Sequence, residues 1–303
     1  MLRSGSPTET TLPSMRLPLL SLLPLLAVAL TGTACTSDAP ADETADGEEP
    51  VAAVDTVTVD SKADSVAMRL VEAHGGRAWA SAPMLRFDFA VERGDQAGPP
   101  RRHLWNRETG AYRLEWTGGE DSTYVALLDV SAASGTLTPG TVYLNGSELT
   151  GAQDSTRRAQ AYRAFINDTY WLLAPLKVFD PGVNRSYVAD SSTADHDVLH
   201  LSFGEVGLTP GDEYWMYVDA ETGRLDRWAF HLQSMPEAAP PARFTWTGAD
   251  TLQAPGGSVV LATEKPSTGG PVTIYTRNVS LPASAPDDAF TRPDPMWAAA
   301  SGR

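Results

Sequence analysis

Three short constellations carry residue types that could do chemistry. His74-Gly75-Gly76 has the composition of a loop whose backbone N–H groups stabilise a developing alkoxide in ester hydrolysis. Such a loop serves a nucleophile, and no Gly-x-Ser-x-Gly elbow occurs in the chain. Glycines able to turn left-handed also close helices, and the cap is the favoured reading. Asp195-His196-Asp197 with His200 offers imidazole and carboxylate, which suit a divalent metal, and residues four apart on a strand share a face. Leu199, Leu201 and Phe203 then occupy the opposite, buried face, which favours a solvated strand face over a metal site. Asp219, Glu221 and Asp226 surround Thr222-Gly223; the loop lacks the number and order of oxygen ligands that calcium requires, and a hairpin turn is preferred. No nucleophile can be paired with a base by motif, so neither an enzyme, a cofactor nor a metal is expected.

The aromatic residues form a different kind of candidate. Phe87, Phe89, Trp105, Trp116, Tyr124, Phe165, Tyr170 and Trp171, with Trp215, Trp228 and Trp246 further along, are spread over expected strands and one helix. Singly, each is core filling. Collectively, on the concave side of a curled sheet, they could line an apolar cavity of ligand size. Asn167-Asp168-Thr169 interrupts the helical aromatic pattern with an exposed-looking polar insert. It either bends the chain over the cavity mouth or marks a helix-to-helix junction.

The elements that must position these residues are mostly strands. A first helix, capped by Asp64 or Ser65 and carrying Val66, Leu70 and Val71 on one face, ends at His74-Gly75-Gly76. Apolar residues then alternate in Leu85–Val91, Arg102–Asn106, Tyr112–Trp116, Thr123–Val130, Thr141–Leu144, Asp197–Phe203, Tyr214–Asp219, Leu225–Leu232, Arg243–Trp246, Ser258–Ala262 and Val272–Val279. Short turn signals such as Asn145-Gly146 and Gly256-Gly257 join many of them. Between the two sets of strands, Asp154–Leu173 places Tyr162, Phe165, Ile166, Thr169, Tyr170 and Leu173 at helical spacing, and Pro175 ends it. The expected architecture is mainly β (α+β): a curled antiparallel sheet, or half-open β-barrel, of about eleven strands with an N-terminal helix and a mid-chain helical plug. No βα alternation supports a parallel sheet.

With 42% hydrophobic and 20% charged residues the chain can build a packed core, and a formal charge of −15 excludes a nucleic-acid partner. A single cysteine excludes disulfide frameworks and multi-thiolate metal sites. Leu17–Leu30 reads LPLLSLLPLLAVAL behind Arg16, too short and too Pro-interrupted for a membrane span, and it suits a signal-peptide core. Residues 1–34 are therefore expected to be a signal peptide, with Met15 an alternative start. The small residues Thr31–Ala34 followed by Cys35 resemble a bacterial lipobox, with Gly32 where that motif carries Leu. The resemblance implies a diacylglyceryl group on Cys35, and two acyl chains anchor stably. Thr36 in place of Asp implies the outer membrane. Nine acidic residues against Lys62 alone, with no aromatic, make 35–65 a solvated tether, leaving 66–303 as one domain.

Ala73-His74-Gly75-Gly76 with Trp79, Phe165–Leu173 with Pro175 and Asp180-Pro181-Gly182, and Tyr214-Trp215 with Asp219 and Glu221-Thr222-Gly223 resemble a group of bacterial envelope proteins. That group is similar in turn to the periplasmic lipoprotein-carrier (Lol) superfamily. Over about residues 62–292, the resemblance implies a half-open barrel with helices at its mouth and an apolar cavity for acyl chains. It implies no catalytic residue. The function expected is thus a membrane-anchored envelope lipoprotein binding an acyl chain, lipid or lipoprotein anchor, lined by the eight residues Phe87 to Trp171 named first. The alternative is a structural or interaction module, with a filled barrel, for another envelope protein.

Overall fold

The computed structural model describes residues 61–119, 121–133, 138–204 and 208–297. The leader 1–34, Cys35 and the tether as far as residue 60 lie outside the described residues.

Helix α1 (Lys62–Ala73) begins inside the segment expected to be tether. Its cap is Ser61, whose hydroxyl accepts the Asp64 N–H at 3.1 Å, so neither Asp64 nor Ser65 is the cap. Polarity in this stretch misled because the charged side chains have partners: Lys62 reaches Asp197 at 3.3 Å, and Arg185 reaches Asp64 at 3.1 Å. The stripe Ala63, Val66, Ala67, Leu70 and Val71 is buried beneath them. A short α2 (Gly76–Ala80) follows. Between the two helices Gly75 takes φ 79°, and a Cβ there would stand 2.0 Å from the Ser258 carbonyl oxygen, so only glycine fits.

The remainder is antiparallel β with one long helix. In chain order come β1 (Met84–Arg93), β2 (Gln96–Ala97), β3 (Arg101–Asn106), β4 (Ala111–Gly119), β5 (Ser122–Asp129), β6 (Gly140–Leu144), β7 (Ser147–Glu148) and α3 (Gly151–Leu173). After a 3-10 turn at Ala174–Leu176 come β8 (Val183–Tyr187), β9 (His196–Phe203), β10 (Glu213–Asp219), β11 (Leu225–His231), β12 (Ala242–Thr245), β13 (Thr247–Ala254), β14 (Gly257–Pro266) and β15 (Val272–Ser280). One sheet of ten strands runs β13-β14-β15-β1-β3-β4-β5-β6-β7, with β2 paired to β1; a second runs β12-β11-β10-β9-β8. Trp246 alone separates β12 from β13, and its N–H donates to the Asp226 carbonyl at 2.7 Å. One residue thus carries the chain from one sheet to the other, and neither sheet closes on itself.

This is the mainly β, half-open architecture expected, with a correction in the strand count: fifteen among the described residues, in two sheets, against about eleven in one. Besides two two-residue strands, β8 and β13 lacked a sequence signal. Both run along sheet edges, and β13 is almost wholly exposed, so main-chain pairing places them without a buried face to alternate against.

Two apolar clusters result. The larger packs α1, α2 and the C-terminal end of α3 against β1, β9–β12, β14 and β15, around Trp171, Trp228, Phe230 and Phe244. The smaller lies between β4–β6 and α3, around Tyr112, Trp116, Tyr124 and Phe165. Where β14 parts from β15 beyond the Glu264–Tyr275 pair, the freed Ala262 carbonyl accepts from Lys265 Nζ at 2.5 Å. Lys265 is fully buried, also reaches Thr276 Oγ1 at 3.1 Å, and is pushed down by burial to about 7. Residues after β15 cross the outer face of the ten-stranded sheet as a strap.

Candidate ligand site between the long helix and the sheet

On β3, β4 and β5 the inward positions of the period-two pattern are Trp105, Tyr112, Leu114, Trp116, Tyr124 and Ala126, and α3 lies across them. Trp116 and Tyr124, paired across β4 and β5, stack with ring centroids 4.9 Å apart. Phe165 of α3 sits edge-on to Tyr112 at 4.9 Å and to Trp105 at 5.1 Å. Trp105 touches both clusters, and its indole Nε1 is buried with no hydrogen-bond partner.

Helix α3 divides into two halves. None of its first ten residues is buried. That half is fastened by polar contacts: Arg158 donates to Asp154 Oδ2 at 2.8 Å and to the Thr138 carbonyl at 2.7 Å, and Arg157 donates to the Tyr124 hydroxyl at 3.2 Å while lying over its ring. The second half buries Phe165, Asp168, Thr169, Trp171, Leu172 and Leu173. Its anchor is Asp168, fully buried, which accepts two bonds from the Arg101 guanidinium at 2.6 and 2.7 Å; His103 Nε2 lies 3.1 Å away. On its other side His103 Nδ1 meets the Tyr112 hydroxyl at 2.7 Å, and its ring stacks on Phe87 at 4.2 Å. Burial alone would raise the Asp168 pKa; the Arg101 charge and the His103 contact outweigh it and hold the carboxylate low. Burial pushes His103 down against the pull of Asp168.

The insert Asn167-Asp168-Thr169 is therefore neither of the two things expected of it. The helix runs unbroken from Gly151 to Leu173, and Asp168 faces the core. A carboxylate with Phe165 three residues before it and Trp171 three after shares their stripe, and that spacing could have identified it. Arg101, His103 and Tyr112 were not singled out by motif.

The eight residues expected to line a cavity are divided between the clusters. Trp116, Tyr124 and Phe165 meet in the smaller; Phe87, Phe89 and Trp171 belong to the larger, with Tyr170 packed against it; Trp105 joins the two. Six of the eight are buried, and Trp105 and Tyr170 are half-buried. Two grooves, of about 400 and 290 Å³, lie elsewhere, one beside Glu72, Arg77 and Ser258, the other beside His74, Arg224 and Trp246.

The remaining constellations have structural roles. His74 Nδ1 lies 2.7 Å from the Val260 carbonyl, and its Nε2 accepts the Leu225 N–H at 3.2 Å, which fixes one neutral tautomer and ties α1 to both sheets. Burial lowers its pKa to about 4. Asp197 turns inward to pin α1 through Arg69 at 2.5 Å and Lys62, while His196 and His200 remain partly exposed on the other face beside Asp226 and Glu213. Among the described residues no group of three His, Cys, Asp or Glu could hold a metal ion. Asp219 accepts the N–H groups of Glu221 and Thr222, at 3.1 and 2.7 Å, and closes the β10–β11 hairpin. Among the described residues no helix is long and apolar enough to cross a membrane.

No protein-family model matches this chain, and no curated protein matches it. Among solved structures it is similar to a DUF1329 family protein from Desulfovibrio piger, at 11% identity over 80% of this chain and 97% of that one, with a TM-score of 0.42. It is similar also to an outer membrane lipoprotein-sorting protein domain from Vibrio parahaemolyticus, at 8% identity over 75% and 95%, TM-score 0.39. A third likeness is to MucB, at 14% identity over 72% and 93%, TM-score 0.20.

Proposed function

We propose that this chain is an envelope lipoprotein, anchored through Cys35 to the outer membrane and facing the periplasm, that takes an acyl chain, lipid or lipoprotein anchor between α3 and the aromatic face of β3–β5 without catalysing a reaction. The observation that carries this reading is the asymmetry of α3: the aromatic surface of β3–β5 is crossed by a helix none of whose first ten residues is buried. Displacing that half breaks a few part-buried polar contacts and exposes rings that an acyl chain would cover, at about 0.8 kcal/mol per buried methylene. The Asp168 anchor keeps the second half in place meanwhile. Trp105 Nε1, a buried donor without an acceptor, supplies a site for a ligand ester or amide carbonyl. In this reading residues 1–34 are the signal, Cys35 and the residues before the Ser61 cap the anchor and tether, and the chain from Ser61 to 303 the binding domain.

The test is native mass spectrometry of the Cys35→Ser chain secreted to a bacterial periplasm. Expected are release from the membrane fraction and a stoichiometric lipid adduct. Retention on the membrane removes the anchor. A clean apo mass, with no uptake of a fluorescent fatty acid, moves the assignment to the second reading, an interaction module for another envelope protein. That reading is favoured by one observation: six of the eight expected lining residues are already buried against their own neighbours.

A further inference from the structure

Arg113 and Glu115 point away from the core, on the face of β4 opposite Tyr112, Leu114 and Trp116, yet they are 0% and 1% exposed. What covers them is the chain's own C-terminal segment, and they hold it almost entirely by its main chain. Arg113 donates to three carbonyls in succession, those of Ala289 at 3.1 Å, Arg292 at 2.7 Å and Asp294 at 2.5 Å, while its Nε donates to Glu115 Oε1 at 2.7 Å. Glu115 in turn accepts the N–H groups of Met296 at 2.8 Å and Trp297 at 3.4 Å. Only Ala289 of the segment is itself buried, and Trp297 lies 5.0 Å over the Arg86 guanidinium of β1.

A fully buried ion pair whose remaining hydrogen-bonding capacity is spent on another segment's carbonyl and N–H groups is the chemistry of a peptide-recognition site. It does not depend on a hydrophobic interlock, and the connection from the end of β15, Leu281-Pro282-Ala283-Ser284-Ala285, is exposed at Ala283 and Ser284. We propose that the outer face of β4 is a docking site for an extended segment, occupied within the chain by residues 286–297 and equally able to take that same segment from a second copy of this chain. Exchange of the segment between copies then joins two molecules with no contact that one molecule does not already make. This proposal is independent of whether α3 covers a ligand.

The experiment uses the full chain with a protease recognition sequence inserted between Ala283 and Ser284. After cleavage, the segment is expected to remain bound in native mass spectra and to be replaced by a fluorescein-labelled peptide of residues 286–297, and the same peptide is expected to dissociate dimers formed by concentrated uncut chain. Arg113→Ala is expected to weaken peptide retention by about 10-fold or more. Glu115→Gln, which keeps the side-chain shape, is expected to weaken it less with the circular dichroism unchanged. A cut segment that never exchanges, or that leaves and does not rebind, or a cut chain that unfolds, overturns the proposal.

Discussion

The larger and the smaller aromatic cluster are built from the same materials but closed differently. Around Trp228 the rings of Trp171, Tyr214, Trp246 and Phe230 stand at 4.7 to 5.8 Å, and two sheets and three helices enclose them. In the smaller cluster Trp116 and Tyr124 stack as closely, at 4.9 Å, yet the helix half that lies over Tyr124 is fastened by arginines to a hydroxyl and a carbonyl. Equal ring contacts do not give equal resistance to opening. What differs is what holds the cover in place, buried side chains in one case and a few polar contacts in the other, and local stability follows the element that must move.

Several changes would break or sharpen this contrast. Trp171→Ala should cost about 3 to 5 kcal/mol in denaturant unfolding, since it empties the centre of the larger cluster. If ligand uptake falls while stability holds, Trp171 belongs to a cavity wall and the two clusters are one. Asp168→Ala should cost about 3 kcal/mol, because it leaves His103 and the Arg101 charge without their acceptor between the clusters. Melting of both clusters together on this substitution would erase the distinction.

The His74 tie predicts an acid dependence confined to the larger cluster. Its pKa is near 4 folded against 6.5 unfolded, so the unfolded chain binds the extra proton between these values. Stability should therefore be full above about pH 6.5 and fall by up to about 3 kcal/mol as pH drops toward 4, and His74→Gln should flatten that slope. The smallest effect is expected at the lid: Arg157→Ala should change global stability by less than about 1 kcal/mol. It should nevertheless speed amide exchange across 151–160 and leave 168–173 unchanged. Equal acceleration in both stretches would mean that α3 moves as one body.

The sequence made legible whatever had a buried face. The alternation of Leu85, Phe87 and Phe89, or of Tyr112, Leu114 and Trp116, located β1 and β4 because every second residue meets the core. Edge strands such as β13 gave no such pattern. At the candidate site the aromatic members could be read off, but Asp168 was hidden by polar neighbours on both sides, and its partner Arg101 stands 67 residues earlier. Arg113 and Glu115 fall at the alternate positions of β4, and the segment that buries them arrives more than 170 residues later, out of reach of any local pattern. Periodicity reports which face is covered; it cannot report by what.

Lys265 has a practical consequence. The chain has three lysines, and Lys62 and Lys177 reach solvent while Lys265 is sealed at the seam between β14 and β15. An amine-acylating reagent added at neutral pH would mark the two outer lysines at once and find the third only when the seam parts. Once exposed, that amine would take up a proton and add a positive charge that resists resealing. The mass increment at Lys265 would thus act as a clock for breathing of the ten-stranded sheet, read without any engineered probe.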